Sequence, residues 1–389
     1  MSTLIGVGTS IKLDSLKAGQ EAARLAYYKL NKQAPDIIIA FISTIFNQIE
    51  AIRGIRSIIK ETPLVGCSSA GSISAFGALR NSIAVCAIKS SDISFSYGVG
   101  NNISKNPRLA GMNAVRASST KLKNVKRGLY LMFSDGLSGK GTDALRGAQE
   151  ILGTSFPIIG GAATDDFHFQ KTYQYLNNIY TDSIVGILMS GKINVGIGGA
   201  HGWQPIGRPH KITRAESSML KEIDRRKAVE LYEEYLSKSF DELKMEGIAK
   251  LGSHYPLGVR MEGKKQYLIR APIKMEDNGN LMLTTEIPER EYINLMIGDK
   301  NLALEATKRA CTKALGSLVK SKIKFAIVFS DIARLKLLKK DSQSEVEIIK
   351  DILGKGVPFF GCYTCGEYAP LNGQSYFHNQ AISVAVFSE

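Results

Sequence analysis

One pattern occurs three times along the 389 residues, and any fold for this chain has to place it three times. The first copy runs DIIIAFIST (36–44), a helical stretch to Lys60, PLVGCSSAGSIS (63–74) and SIAVCAIKS (82–90). The second runs GLYLMFSD (128–135), a helical stretch to Gly153, PIIGGAATDD (157–166) and SIVGILMSG (183–191). The third runs IKFAIVFSD (323–331), a helical stretch to Gly354, PFFGCYTCGEYAP (358–370) and AISVAVFS (381–388). Each is preceded by a further strand and helix: LIGVGTS with AGQEAARLAYYKL, ISFSYGVGN with PRLAGMNAVRASSTKL, and INLMIGD (293–299) with LALEATKRACTKALGSL. The helices carry apolar residues at three- and four-residue spacing, as at Ala22, Leu25 and Ala26. The strands are short apolar runs bounded by Gly, Pro, Ser and Asp.

This alternation predicts an α/β protein: two lobes of related β-α-β-α-β-β units, with mixed sheets flanked by helices and a strand-rich insert in the second lobe. Residues 213–250 are charged and helical in pattern around KAVELYEEYL. Residues 252–295 become short strands (YPLGVRM, KQYLIRAPIKM, LMLTTEI), with Asp277-Asn278-Gly279 as a hairpin turn. The domain boundary is expected within 205–222, giving domains 1–222 and 223–389.

The chain carries 50 Lys and Arg against 36 Asp and Glu, a net charge of +14. Such an excess attracts phosphates in general. No basic block with interleaved aromatics stands out, however. The densest stretches, 121–127 and 336–340, flank strands and read as solvated faces, which argues against nucleic acid. Cys67, Cys86, Cys311, Cys362 and Cys365 are odd in number and scattered, which predicts a reducing, cytoplasmic setting. The most apolar window, 184–200, is broken by Lys192 and rich in glycine, so no membrane span is expected. The start, MSTLIGVGTSIKLDS, lacks the basic, apolar and small-residue regions of a signal peptide. Neither a cofactor nor a metal is expected. IGVGTS, YGVGNN and VGIGGAHG match no nucleotide motif, and Cys362-x-x-Cys365 has no second ligand pair for zinc.

Aligning the copies on their prolines brings Gly66, Gly160 and Gly361 into register, then Cys67, Gly161 and Cys362, and further on Gly71, Asp165 and Gly366. Small residues directly after a buried strand permit close backbone approach, and the amides of such bends can cradle an anionic group. The competing reading is a tight crossover where backbones pack. On the first reading a ligand site gathers Gly66, Cys67, Ser68, Ser69 and Gly71 from the first copy. The second copy adds Gly160, Gly161, Thr164, Asp165 and Asp166. The third adds Gly361, Cys362, Thr364, Gly366 and Glu367, with His378 and Asn379 from FHNQ. Amides would hold an anionic group, and Asp165, Asp166 or Glu367 would take an amino group. Asp135 and Asp331 end their strands either beside a ligand or merely to start turns or cap the next helix. An alternative chemistry is a hydrolase or lyase with a Cys362 thiolate activated by His378. Against it, the position matching His378 in the first copy is Arg80, which cannot act as a base. His201, beside the single tryptophan Trp203, reads as a structural hydrogen-bonding group. A third reading is an interaction scaffold with a basic surface.

The succession GCSSAGSIS, GGAATDDFHFQKTYQY, GWQPIG with KITRAESSMLKEIDRRKAVELYEEYL, YPLGV and FFGCYTCGEYAP…FHNQAISVAVF resembles the FIST domain family (F-box and intracellular signal transduction). It covers the N-terminal and C-terminal FIST regions in order, from about Pro35 to Phe387. One departure is Glu289-Arg290-Glu291, which stands where a glycine turn is expected. The resemblance implies a stand-alone sensory protein of signal transduction. It implies a small-molecule ligand, an amino acid being the usual suggestion, and a signalling protein as a further partner. It supplies no catalytic residues and leaves the oligomeric state open. Binding would bias closure of the lobes.

Overall fold

Ile37–Ser43, IIIAFIS, is buried along its whole length, as a strand must be when both faces of its sheet are covered. The computed structural model, which describes residues 3–120, 127–260, 266–318 and 322–388, places this segment and its counterparts at the centre of three sheets. The basic stretch 121–126 lies outside the described residues. The first unit comprises β1 (Leu4–Ser10), α1 (Ser15–Lys29), β2 (Ile37–Ser43), α2 (Gln48–Ile58), β3 (Leu64–Ser69), the hairpin β4–β5 (Gly71–Ser74, Gly77–Arg80) and β6 (Ile83–Lys89). The second comprises β7 (Ile93–Asn101), α3 (Pro107–Ser119), β8 (Arg127–Asp135), α4 (Gly141–Leu152), β9 (Ile158–Ala163), the hairpin β10–β11 (Gln174–Leu176, Asn178–Tyr180) and β12 (Ser183–Gly191).

The third unit opens with β13 (Asn194–His201) and is then interrupted by an insert. The insert holds β14 (Trp203–Glu216), β15 (Met219–Ile223), β16 (Arg226–Lys227), α5 (Glu230–Leu236), α6 (Phe240–Glu246), α7 (Ile248–His254), β17 (Leu257–Arg260), β18 (Tyr267–Arg270), β19 (Pro272–Met275), β20 (Leu281–Leu283) and β21 (Tyr292–Gly298). The unit resumes with α8 (Lys300–Gly316), β22 (Ile323–Asp331), α9 (Ile332–Leu338), α10 (Ser342–Leu353), β23 (Phe359–Thr364), the hairpin β24–β25 (Glu367–Leu371, Gln374–His378) and β26 (Ala381–Ser388).

Three sheets share one order: β1-β6-β2-β3-β10-β11, β7-β12-β8-β9-β24-β25 and β13-β26-β22-β23-β4-β5. In each, a parallel central pair is flanked by antiparallel strands. The outer hairpin never belongs to the unit that builds the rest. The second unit's hairpin completes the first sheet, the third unit's completes the second, and the first unit's completes the third. The exchange is closed, so the units interlock rather than sit side by side.

The inner faces of the three sheets share one core. Phe41, Phe133 and Phe329 hold equivalent registers, opposite Cys67, Gly161 and Cys362. Their rings meet pairwise at 5.7, 6.0 and 6.0 Å, within the range at which edge-on aromatic contacts are favourable. The outer faces are covered by α1 and α2, α3 and α4, and α8 to α10. The fourth sheet, β18-β17-β21-β14-β15-β20-β19, belongs to the insert and has its own core with α5 to α7.

Two expectations change. INLMIGD is not the opening strand of the third unit. As β21 it pairs with β14 and β17, and β13 takes the place beside β26. The reason is close packing: Gly196 and Gly198 leave room for the carbonyls of Ala314 and Ala310 on α8. Gly6 and Gly8 do the same for Ala26 and Ala22, and Gly98 and Gly100 for Ala114 and Ala110. The helical reading of 213–250 holds only from Glu230. Before it, β14 and β15 form a hairpin turned at Ser217, whose φ is 53°. The Asp277-Asn278-Gly279 turn does join β19 to β20, with Gly279 at φ 89°. Arg290 takes φ 69°, the left-handed backbone that glycine favours, at the turn where a glycine is expected.

Candidate functional site

The three bends of the repeat do converge. Thr164 N donates to Ser68 O at 3.3 Å, Cys365 N to Ala162 O at 2.9 Å and Ala70 N to Tyr363 O at 3.2 Å. At their centre they are packed solid. A Cβ on Gly66, Gly160 or Gly361 would collide with the carbonyl oxygen of Ala40, Met132 or Val328 on the neighbouring strand. One on Gly161 would collide with the Thr364 side chain, one on Gly71 with Leu79 O, and one on Gly366 with the Phe377 ring. At these glycines the backbones pack as in a tight crossover. Cys67 and Cys362 are buried in the common core. Thr364 donates to Glu367 Oε1 at 2.7 Å, and Ala381 N donates to the other Glu367 oxygen at 3.2 Å. Burial raises the Glu367 carboxyl well above its ordinary range, and Asp331 nearby adds to the effect. It is a core acid. Asn379 is buried and accepts from Thr284 at 2.9 Å.

Beside this packed centre lies a cavity of about 470 Å³, at the carboxyl ends of β2 and β3 and under the loop that follows β9. Of the residues singled out by sequence, Ser69, Asp165 and Asp166 line it. Ser68 forms its clamp: its hydroxyl donates to Thr164 O at 3.1 Å and accepts from Tyr173 N at 3.0 Å. Asp165 builds the loop. Its carboxylate accepts from the backbone N–H of Phe169, Gln170 and Lys171 at 3.1, 2.6 and 3.0 Å, which leaves it little capacity for a ligand. Within this turn Asp166, Phe167 and Phe169 all have φ between 54° and 64°. Side chains rarely adopt that backbone, and strain of this kind is concentrated at ligand sites.

Asp166 is held differently. One oxygen meets Arg80 at 2.6 Å; the other, Oδ1, is buried without a hydrogen-bond partner. The Ser69 hydroxyl, on the same cavity, is also buried and unpartnered. Two orphaned polar atoms on one cavity are costly unless something fills it. Lys336 stacks on the Phe167 ring, its ammonium 3.3 Å from the ring centroid. Burial lowers its pKa and Arg80 lowers it further, while Asp166 opposes the change.

Sequence reasoning missed the cavity's other polar groups, among them Ser43, Thr44, Asn81 and Lys171. The signal for Ser43 lies in the repeat. Ser43, Asp135 and Asp331 occupy equivalent ends of the parallel strands. Asp331 accepts from Ala333 N and Gln380 N, both at 2.8 Å. Asp135 accepts from Leu137 N at 2.8 Å and Asp182 N at 3.1 Å. Asp331 is the N-cap of α9, whereas Asp135 starts a turn and caps no helix, since α4 begins only at Gly141. Ser43 is shorter and reaches only Ser82 N, at 3.1 Å.

Cys362 lies in the common core, whereas His378 lines a cavity. Burial pushes the Cys362 thiol well up, and its polar neighbour is Cys67. His378 lies 3.1 Å from Ala369 O, on a different cavity. The hairpin registers pair Glu367 with His378 and Ser72 with Leu79, so His378 corresponds to Leu79 rather than Arg80. Among the described residues no group of three or more His, Cys, Asp or Glu could hold a metal ion, and no helix is long and apolar enough to cross a membrane.

Residues 36–226 match the FIST N domain and residues 228–370 the FIST C domain. The chain belongs to the FIST family. FIST domains are sensory domains of signal transduction. This FIST chain is 22% identical over 398 residues to the uncharacterized protein Rv0628c of Mycobacterium tuberculosis (strain ATCC 25618 / H37Rv), covering 98% of this chain and 99% of that one. It is 30% identical over 167 residues to the uncharacterized protein MJ1623 of Methanocaldococcus jannaschii, covering 39% and 32% respectively. Among solved structures, a cyanuric acid hydrolase from A. caulinodans aligns over 99% of both chains with a TM-score of 0.38 and 7% identity. A likeness that weak carries no argument about what the FIST chain does.

Proposed function

We propose that this FIST protein is a sensor that reversibly binds a small zwitterionic metabolite, an amino acid, in the cavity at the ends of β2 and β3. The observation that carries the reading is the pair of buried, unpartnered atoms, Asp166 Oδ1 and Ser69 Oγ. The carboxylate oxygen accepts an ammonium group. Ser69, Asn81 and Lys171 supply donors for the ligand's carboxylate. The volume of about 470 Å³ falls in the usual range for small-ligand sites. The loop 164–173 is the element a ligand would order, because Asp165 holds it over the cavity in a strained path.

A thermal-shift panel of amino acids, with organic acids and simple amines as controls, tests the reading. A ligand at 100 times its Kd stabilises by about 2.7 kcal/mol. D166N is expected to weaken binding roughly tenfold to a hundredfold, the loss of one charge-assisted hydrogen bond. No shift with any amino acid at millimolar concentration, or an undiminished shift in D166N, overturns the proposal. The hydrolase reading gains nothing from a buried, neutral Cys362.

A further inference from the structure

A second cavity, of about 480 Å³, lies between α8, β13, the β24–β25 hairpin and the insert. It shares no residue with the site above. Arg309 and Lys313, one turn apart on α8, stand on its lining, and Arg309 Nη2 is fixed by a 2.8 Å hydrogen bond to His201 O. Among the described residues the lining contains no Asp or Glu. The positive charge at this mouth therefore has no carboxylate of the lining to answer it.

Two imidazoles line the interior. His201 and His378 both face it, and the pKa of each is lowered to about 4. Burial is the main cause; Arg309 adds to it at His201, and Arg270, His201 and Lys313 add to it at His378. The His378 Nε2 is engaged by Ala369 O at 3.1 Å, and no described residue meets its Nδ1. Trp203 is 3% exposed, lines the cavity, and its indole N–H is buried without a partner. Gly298 opposite leaves the indole its space, since a Cβ there would stand 2.8 Å from Nε1. The remaining surface includes Tyr267, Pro205 and Leu371. A cationic mouth, an unmet donor and apolar walls define a chemical class of ligand.

We propose that this cavity is a second ligand site, for a small organic oxyanion: a carboxylate or phosphate monoester carried on an apolar or aromatic body. Arg309 and Lys313 hold the oxyanion, while Trp203 and Tyr267 pack the body. The site is independent of the amino-acid reading and stands or falls apart from it.

Trp203 is the only tryptophan in the chain, so intrinsic emission excited at the red edge reports on this cavity alone. Benzoate and phenyl phosphate are titrated, with benzylamine as the same body bearing the opposite charge and inorganic phosphate as a head group without a body. The expected result is a saturable change with both organic anions or with one of them, none with benzylamine, and a weaker response to inorganic phosphate. The better of the two anions identifies the head group. R309Q/K313Q, and separately K313E, should raise Kd at least about tenfold, while D166N leaves it unchanged. Both positions are exposed on α8, so the folded protein is available for the comparison. An equal response to benzylamine, an unchanged Kd in both charge variants, or no saturable change with either organic anion at millimolar concentration overturns the proposal.

Discussion

Ser43 stands where the other two units carry Asp135 and Asp331, and its shorter side chain stops at Ser82 N. The aspartates reach on to Asp182 N and Gln380 N and also accept from the residues that follow. S43D should therefore reach the backbone amides that the other two aspartates reach, and fill the cavity. The expected outcome is an unchanged or higher melting temperature together with loss of the ligand-induced thermal shift, both read in one scan. Asp331 makes a second prediction. Burial raises its carboxyl from 3.8 to about 6. Below about pH 4 folded and unfolded chains both carry the proton. Between about pH 4 and 6 the unfolded chain releases it first, so stability falls as pH rises, by roughly 3 kcal/mol, and then levels off. Urea titrations across this range should show that D331N removes this component of the slope, measured as the difference from the wild-type protein.

The helix pairs over the sheets meet in two ways. Gly19 lies against Ala51, and Gly111 against Ala144. In the third pair, Thr307 on α8 meets Glu345 on α10 at 3.1 Å, and both meet Arg334, whose Nη2 is 2.6 Å from Glu345 Oε1. Arg334 and Glu345 are fully buried. Removing one partner of such a pair strands the other charge, so E345A should cost about 3–5 kcal/mol by denaturant unfolding. Replacing both partners with apolar residues should recover much of that loss. Neither this pair nor the exchanged hairpins could be read from spacing, because both are long-range choices of partner. The helices and central strands could be, because periodicity and burial are local. The third opening strand was legible in principle. Gly6 and Gly8, Gly98 and Gly100, and Gly196 and Gly198 repeat one spacing, but Gly-x-Gly also suits a phosphate loop, and only the packed helices show that it admits their carbonyls. At the site, Asp166 was legible as a charge in a loop. That Asp165 beside it is consumed by its own backbone depends on a turn geometry that residue types do not reveal.

At the scale of the whole molecule, the closed exchange of hairpins makes the FIST N and FIST C regions parts of one object. β9 pairs with β24 and β23 with β4, so a fragment ending at residue 226 loses a neighbour for its second sheet and leaves its first hairpin unclaimed. Such a fragment should show no cooperative thermal transition by circular dichroism on its own, and should regain one when mixed with residues 227–389. The interlock also bears on how a signal leaves the site. Rigid closure of two lobes would have to shear the shared sheets, whereas the 164–173 loop can order without disturbing them. Hydrogen exchange on ligand addition should therefore slow in that loop and change little in β2, β8 and β22.

The pairing of Phe360 with Ser74 has a bearing on biosynthesis. The ribosome makes the β4–β5 ribbon well before its docking edge on β23, since Ser74 and Phe360 lie 286 positions apart. Until β23 emerges that ribbon has an open backbone edge, the kind of exposed template that invites pairing with a stranger. A chain wired this way should close its ring slowly, since the contact that closes it joins residues 286 positions apart.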